Sequence, residues 1–422
     1  MNVQVLEKYR FWLIFGVFLI SRFAFKYISG YNHFELFLDS ERYDYYSSQI
    51  LSGNFNLDHT AFILAPLYPY FLAGVKWVFG AQWQFFAMLI QFVLVSLSGV
   101  YIFKITNLLF KSGKIAWVAT GAYCLFPMTL WYNFTFTQET LFQALFIFAI
   151  YHLLRLLQGK VSSLVFSAVF FSLAFLTKSH ILLFSPFIVL LLLLSKYYSF
   201  NKKILYSLVY AGICLAFTLP YGLYNLKTNG VYALSSYGTG TFFHISNSKY
   251  TYQEVFDPAP LGSEASKYGT YLAFAFDKDF EYEGYGKVNQ LSIRERQRIH
   301  KKLAMKWIQN HPGDFLRLKW FSFYRFFMPG LSQQHHSTLQ WLASFLLSLP
   351  VYLLGYWGIF QAFKKDYRRH LWTVLLMLTI LLFFVVFSPV SRFRTVTLEP
   401  FYIVYAAFGF FALLERFQLS AK

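Results

Sequence analysis

Apolar stretches close to the ~20 residues needed to cross a bilayer recur from one end of this chain to the other. A helix satisfies its own backbone hydrogen bonds, so such stretches can lie in lipid where irregular backbone cannot. Ten are legible, at about 11–28, 84–103, 115–128, 137–155, 161–176, 181–195, 204–223, 339–363, 371–387 and 396–414. Only 13% of the residues are charged, against about 25% in a soluble domain. The expectation is an all-α polytopic membrane protein.

The net charge of +18 invites a nucleic-acid reading. The Lys and Arg residues instead gather in short clusters between spans, where they fix orientation. Lys8 and Arg10 keep the N-terminus cytoplasmic. Lys104, Lys111 and Lys114, Arg155 and Lys160, Lys202 and Lys203, Lys364 to Arg369, and Arg416 then fall on that same side. Membrane lipids are therefore expected partners and nucleic acid is not. Cys124 and Cys214 lie in apolar surroundings, so no disulfide framework is visible. The first span lacks a small-residue cleavage site and is expected to stay as a helix. Three regions follow: an N-terminal transmembrane module (1–226) with a first outer loop (29–80), an extracytoplasmic loop domain (227–338), and C-terminal transmembrane helices (339–422).

The first outer loop carries Asp39-Ser40-Glu41-Arg42-Tyr43. Carboxylates beside the hydrocarbon are costly unless they are solvated, paired or used. On a helix Asp39, Arg42, Tyr43 and Tyr46 share one face, offering a proton acceptor, a cation and phenols to a cavity. The same residues also suit a simple helix cap. Further on, Pro66-Leu67-Tyr68-Pro69 opens another helix. Lys178, Arg392 and Arg394 break the positive-inside pattern, since they fall at short outer turns. Each needs a partner there: a carboxylate such as Asp39, Glu139 or Glu399, or an anionic head group.

The outer loop from Lys227 to Thr338 is longer than a connection needs to be. Its first half is rich in Gly, Tyr, Ser and Asn. Its second half holds two helices: one opened by the capping box Ser292-Ile293-Arg294-Glu295 and stopped at His311-Pro312-Gly313, and one from Asp314 through Phe327. The second is basic and aromatic, a pattern that suits either the membrane interface or packing on the bundle. His335-His336 has no partner at metal-ligand spacing. No phosphate loop, nucleophile elbow or internal repeat is visible.

In this order the motifs resemble the polyprenyl-phosphate-sugar-dependent glycosyltransferases of GT-C fold, in particular the protein O-mannosyltransferase-like enzymes and the bacterial aminoarabinose transferases. The resemblance is carried by Asp39 to Tyr43, Pro66 to Pro69, Phe126-Pro127 with Thr137-Gln138-Glu139, Leu176-Thr177-Lys178, Pro220 with Asn225 and Gly230, and Gly238-Thr239-Gly240 with Asn247. It closes on Arg392-Phe393-Arg394 with Pro400. Here Ser40 separates two acids that are adjacent in many relatives. The resemblance implies a GT-C-like bundle with its site on the extracytoplasmic side, expected in a bacterial inner membrane. The donor would be a polyprenyl-phosphate sugar and the acceptor a glycan, lipid or protein. Catalytic roles fall to Asp39, as base in an inverting transfer, and Glu139. Lys178, Arg392, Arg394 and Arg42 would meet the donor phosphate, and Tyr43, Tyr68 and His244 would line the sugar site. No cofactor is required, though a divalent cation is compatible with the two acids. An O-antigen ligase or polymerase, or a lipid-linked-sugar flippase, would share many of these features.

Overall fold

A computed structural model describes residues 3–29, 36, 39–59, 62–257, 281–282, 286–287, 290–331, 337–387 and 391–420. The order is α1 (Val3–Ser29), α2 (Asp39–Leu51), α3 (Leu67–Phe79), α4 (Trp83–Phe110), α5 (Gly113–Leu125), α6 (Pro127–Tyr132), α7 (Glu139–Leu157) and α8 (Ser163–Thr177). A 3₁₀ turn (Ser179–Phe184) then leads into α9 (Ser185–Leu194), α10 (Phe200–Asn229), α11 (Thr239–Ile245) and α12 (Lys249–Phe256). Two short strands, β1 (Glu281–Tyr282) and β2 (Gly286–Lys287), pair antiparallel. The chain continues through α13 (Ile293–Asn310), α14 (Pro312–Phe327), α15 (Thr338–Lys365), α16 (Tyr367–Phe387), α17 (Arg392–Thr397) and α18 (Glu399–Ser420).

Among the described residues, seven helical stretches are long and apolar enough to span a membrane, which makes this an integral membrane protein. The difference from ten has local causes. The expected span at 115–128 stops at Leu125, because Phe126 is held extended (φ −68°, ψ 114°) before Pro127. The two expected around Lys178 are the shorter apolar helices α8 and the 3₁₀–α9 segment. Lys178 is itself the break, at φ −142° and ψ 110°. The span expected at 84–103 is instead longer: α3 and α4 run on as one apolar stretch from Leu67 to Phe110.

Helix α7 lies at the centre and is buried along nearly its whole length. It packs against α8 on one side and α4 on the other. Helix α13 opens with the capping box Ser292–Glu295. Helix α14 starts two residues earlier than expected, at Pro312, so Asp314 lies within its first turn and is not the cap. Asn225, fully buried, donates to the Ala233 carbonyl and fixes the exit from α10. His335 and His336 lie outside the described residues.

Helices α15 and α18 meet backbone to backbone. Lipid supplies no hydrophobic drive between helices, so close approach through small residues provides the packing. A Cβ on Gly358 would lie 2.0 Å from the Tyr405 carbonyl oxygen, and one on Gly409 2.4 Å from that of Leu354. Gly358→Ala should therefore force the helices apart at a cost of about 1–3 kcal/mol. Thermal unfolding in detergent checks this. The midpoint should fall for Gly358→Ala and not for Gly74→Ala, where nothing lies within 4 Å.

Candidate active site

Four helix ends meet at one rim of the bundle. Asp39 and Glu139 are the first residues of α2 and α7, Lys178 follows the last residue of α8, and Arg392 is the first of α17. Acids suit helix N-termini and a cation suits a C-terminus, so three of the four sit where the helix dipole favours them. Arg392 does not, and it is held by carboxylates.

The charges form one continuous chain. Arg42 Nη1 lies 3.2 Å from Asp39 Oδ1, and Arg392 Nη1 lies 2.5 Å from Asp39 Oδ2. Arg392 Nε is 3.8 Å from Glu139 Oε1, whose other neighbour is Lys178 Nζ at 2.8 Å. The Lys178 and Glu139 side chains are each 1% exposed, whereas Asp39 (22%) and Arg392 (33%) open to the surface. Three cations face two anions, leaving one positive charge at the open end. Phe393 sits under Lys178, with Nζ 4.2 Å from the ring centroid. Burial alone would raise the Asp39 carboxyl, but Arg392 and then Arg42 hold it down to about 2. It is therefore fully ionised at neutral pH and weakly basic while Arg392 stays on it.

Tyr43 and Tyr68 line the floor, rings edge to face at 4.9 Å. Burial, and then the Asp39 and Glu139 charges, push the Tyr43 phenol well up, so it keeps its proton. Beneath them runs a polar network that no local pattern in the sequence signals. Tyr68 Oη donates to Gln91 Oε1 at 3.1 Å. Gln91 Nε2 donates to the carbonyls of Asn133 and Thr135, both at 3.2 Å. Arg22, fully buried in α1, donates to Asn133 Oδ1 at 3.1 Å and to the Cys124 carbonyl at 2.8 Å. These bonds fix the turn from which α7, and so Glu139, emerges. Asn133-Phe134-Thr135 is thus a buried structural turn.

Seven of the nine site residues expected from the sequence come together here: Asp39, Arg42, Tyr43, Tyr68, Glu139, Lys178 and Arg392. Arg394 does not join them. Residues two apart on a helix face apart, and α17 is helical, so Arg394 points inward. It is fully buried, donates to the carbonyls of Arg325, Phe326 and Met328, and lies 3.6 Å from Glu399. Glu399 in turn accepts from Tyr352 at 2.5 Å and Thr395 at 3.0 Å. His244 sits instead between α11 and α13, its Nδ1 2.9 Å from that of His300. Burial pushes both imidazoles down, to about 4 and about 3, so they are neutral and share one proton. Among the described residues, no three His, Cys, Asp or Glu side chains group as a metal site.

Residues 58–224 match the family model of the dolichyl-phosphate-mannose-protein mannosyltransferases, a range that holds Glu139 and Lys178. No curated protein matches the chain. Among solved structures it is similar to the archaeal oligosaccharyltransferase AglB from Archaeoglobus fulgidus, described in complex with an inhibitory peptide and a dolichol-phosphate. The TM-score is 0.56 at 13% identity; the match covers 99% of this chain and 52% of that one, so the chain spans about half its length. At that identity the likeness is one of fold, and the fold is GT-C.

Proposed function

We propose that this protein transfers a sugar from a polyprenyl-phosphate-linked donor to an acceptor on the extracytoplasmic side of the membrane, inverting the anomeric carbon. The observation that carries this reading is the chain Arg42–Asp39–Arg392–Glu139–Lys178. It brings an ionised acid and preset cations to one partly open point at the helix ends. The family match over 58–224 and the GT-C fold support a lipid-phosphate donor. A lipid carrier needs a groove beside the bundle, and its head group would then meet the rim.

The leaving group is a lipid phosphate. Cations fixed before reaction stabilise it without reorganisation. Arg392 and Lys178 take that part, and Arg42 keeps Asp39 from being left alone. In the resting protein Arg392 is held by Asp39. An incoming phosphate competes for that guanidinium. As Arg392 turns to the donor, Asp39 loses the charge that holds its carboxyl down and becomes a better base. Asp39 then takes the acceptor hydroxyl proton as the oxygen attacks the anomeric carbon. The bond to phosphate oxygen breaks with its electron pair, and the lipid phosphate leaves. Glu139 keeps Lys178 charged and aimed. Both acids are answered by cations, and no step is routed through a divalent cation. The bias of these ion pairs toward helix ends also favours an enzyme over a transporter, whose polar sites lie near the bilayer midplane.

Asp39→Asn should lower turnover by at least about 10²-fold, the scale of a lost general base, with the detergent-purified protein eluting as the parent does. Radiolabelled polyprenyl-phosphate sugars, supplied in turn to proteoliposomes, provide the assay. Undiminished transfer would remove Asp39 as the base.

The phosphate exchange at Arg392 has a pH signature. kcat/KM for the donor reports the free enzyme and kcat the donor-bound one. With Arg392 on Asp39 the carboxyl titrates near 2; with Arg392 on the phosphate it titrates higher. The acid limb of kcat should therefore lie above that of kcat/KM. Coincident limbs would contradict the exchange.

Lys178→Met leaves buried Glu139 with only the longer contact to Arg392, a loss of up to about 3–5 kcal/mol. Lys178→Met with Glu139→Gln should recover most of the thermal stability but not donor turnover. That split separates the structural part of the pair from its part in the reaction.

A further inference from the structure

The far ends of the same helices hold a second group of charges that the proposed reaction leaves unused. Arg10 from the second turn of α1, Lys104 near the end of α4 and Arg155 in the last turn of α7 converge on one cavity of about 180 Å3. Phe103, Asn107, Leu108 and Tyr151 complete its lining. At 1.5 Å per residue, Arg155 lies about 24 Å along α7 from Glu139, so this cavity is at the opposite membrane face.

Three observations distinguish it from ordinary topogenic charge. First, no carboxylate among the described residues pairs with any of the three cations. Second, each rests on an aromatic face instead. Arg10 lies 4.9 Å from the Phe103 centroid, Lys104 5.0 Å from Tyr101 and 5.8 Å from Tyr151, and Arg155 5.8 Å from Tyr151. The rings hold the cations apart yet aimed at a common space. Third, the helix dipoles do not account for the set. Arg155 alone lies in a last turn; Lys104 and Arg10 lie beyond the terminal turns in which a dipole acts. Arg369 donates to the Leu108 carbonyl and adds a fourth cation beside the floor.

Three converging like charges repel one another unless an anion joins them. Basic pockets between membrane helices bind anionic head groups for this reason. We propose that this cavity binds a phosphate ester, namely the head group of an anionic phospholipid seated between α1, α4 and α7. Lys104 reaches it from the exposed side, Arg10 and Arg155 from the half-buried walls, and the Asn107 amide can donate to a remaining oxygen. The site is separate from the reaction proposed above and stands whether or not that reaction is right.

The test is native mass spectrometry, with thermal unfolding, of the full chain in mixed phosphatidylcholine and phosphatidylglycerol micelles. The parent should retain phosphatidylglycerol over phosphatidylcholine by at least about tenfold, from cations worth a few-fold each. Arg10→Gln/Lys104→Gln/Arg155→Gln should lose that preference. Lys111→Gln/Lys114→Gln/Lys160→Gln removes equal charge outside the cavity and should keep it. In phosphatidylcholine alone the first variant should be at least as stable as the parent, because a repulsion is gone. If it does not fold, Lys104→Gln carries the test and should lose a few-fold. A preference retained by the cavity variants, or lost equally in the outside variant, overturns the proposal. Inorganic phosphate distinguishes the source. Stabilisation of the parent but not the triple variant by phosphate alone makes the ligand a soluble phosphate; stabilisation by phosphatidylglycerol alone makes it the lipid.

Discussion

Two carboxylates at the edge of a hydrocarbon layer set the terms for the rest of this bundle. An unpaired charge there is costly, and in low dielectric the cost falls steeply only when an opposite charge comes within a few ångströms. Glu139, buried to 1%, requires Lys178 at its side. Asp39 requires Arg392 and Arg42. Those cations come from the first loop, the middle and the end of the chain, so the pairs bind four separate helix ends into one rim. Burial of this kind is weak evidence for stability, since a buried pair seldom gains more than well-packed apolar residues would. It is better evidence for a site, because a fold that keeps such pairs holds charge ready for a charged ligand.

The rim is held from below by groups that never touch it. Arg22, Asn133 and Gln91 pass hydrogen bonds from α1 and the turn before α7 up to Tyr68, whose ring meets Tyr43 edge to face. Arg394 does the same on the other side. By satisfying the carbonyls at the end of α14 and facing Glu399, it anchors α17 and so directs Arg392 outward. The two arginines of one short motif have opposite tasks, one facing the opening and one locked in the core.

Much of the architecture was legible because membrane sequences are constrained in simple ways. Hydropathy located most of the helices. The three cations that defied the positive-inside pattern, Lys178, Arg392 and Arg394, each lie beside one of the carboxylates expected for them: Glu139, Asp39 and Glu399. The capping box at Ser292 was equally readable, since it is local; the turn at Lys178 was read as joining two spans, whereas it divides two helices too short to cross. What was not readable is non-local or depends on helical phase. Arg22 and Asn133 are 111 residues apart, and nothing near either announces the other. His244 finds His300 across 56 residues. Arg394 read as a second site cation because the motif was taken as a pair; the short helix that turns it inward shows only in three dimensions.

The same reasoning explains why the two membrane faces of the bundle differ. At the rim with Asp39 and Glu139, every cation lies against an acid and one positive charge is left over at the open end, so a phosphate that takes Arg392 displaces a carboxylate. In the proposed reaction that exchange would tie donor arrival to the freeing of the base. At the opposite face Arg10, Lys104 and Arg155 lie on aromatic rings and meet no carboxylate among the described residues, so an anion there would displace no acid. A paired cluster suits a reaction in which charge must move, whereas an unpaired one suits a resident ligand that holds helices together. The contrast lies on α7 itself, which begins in the first cluster and ends in the second.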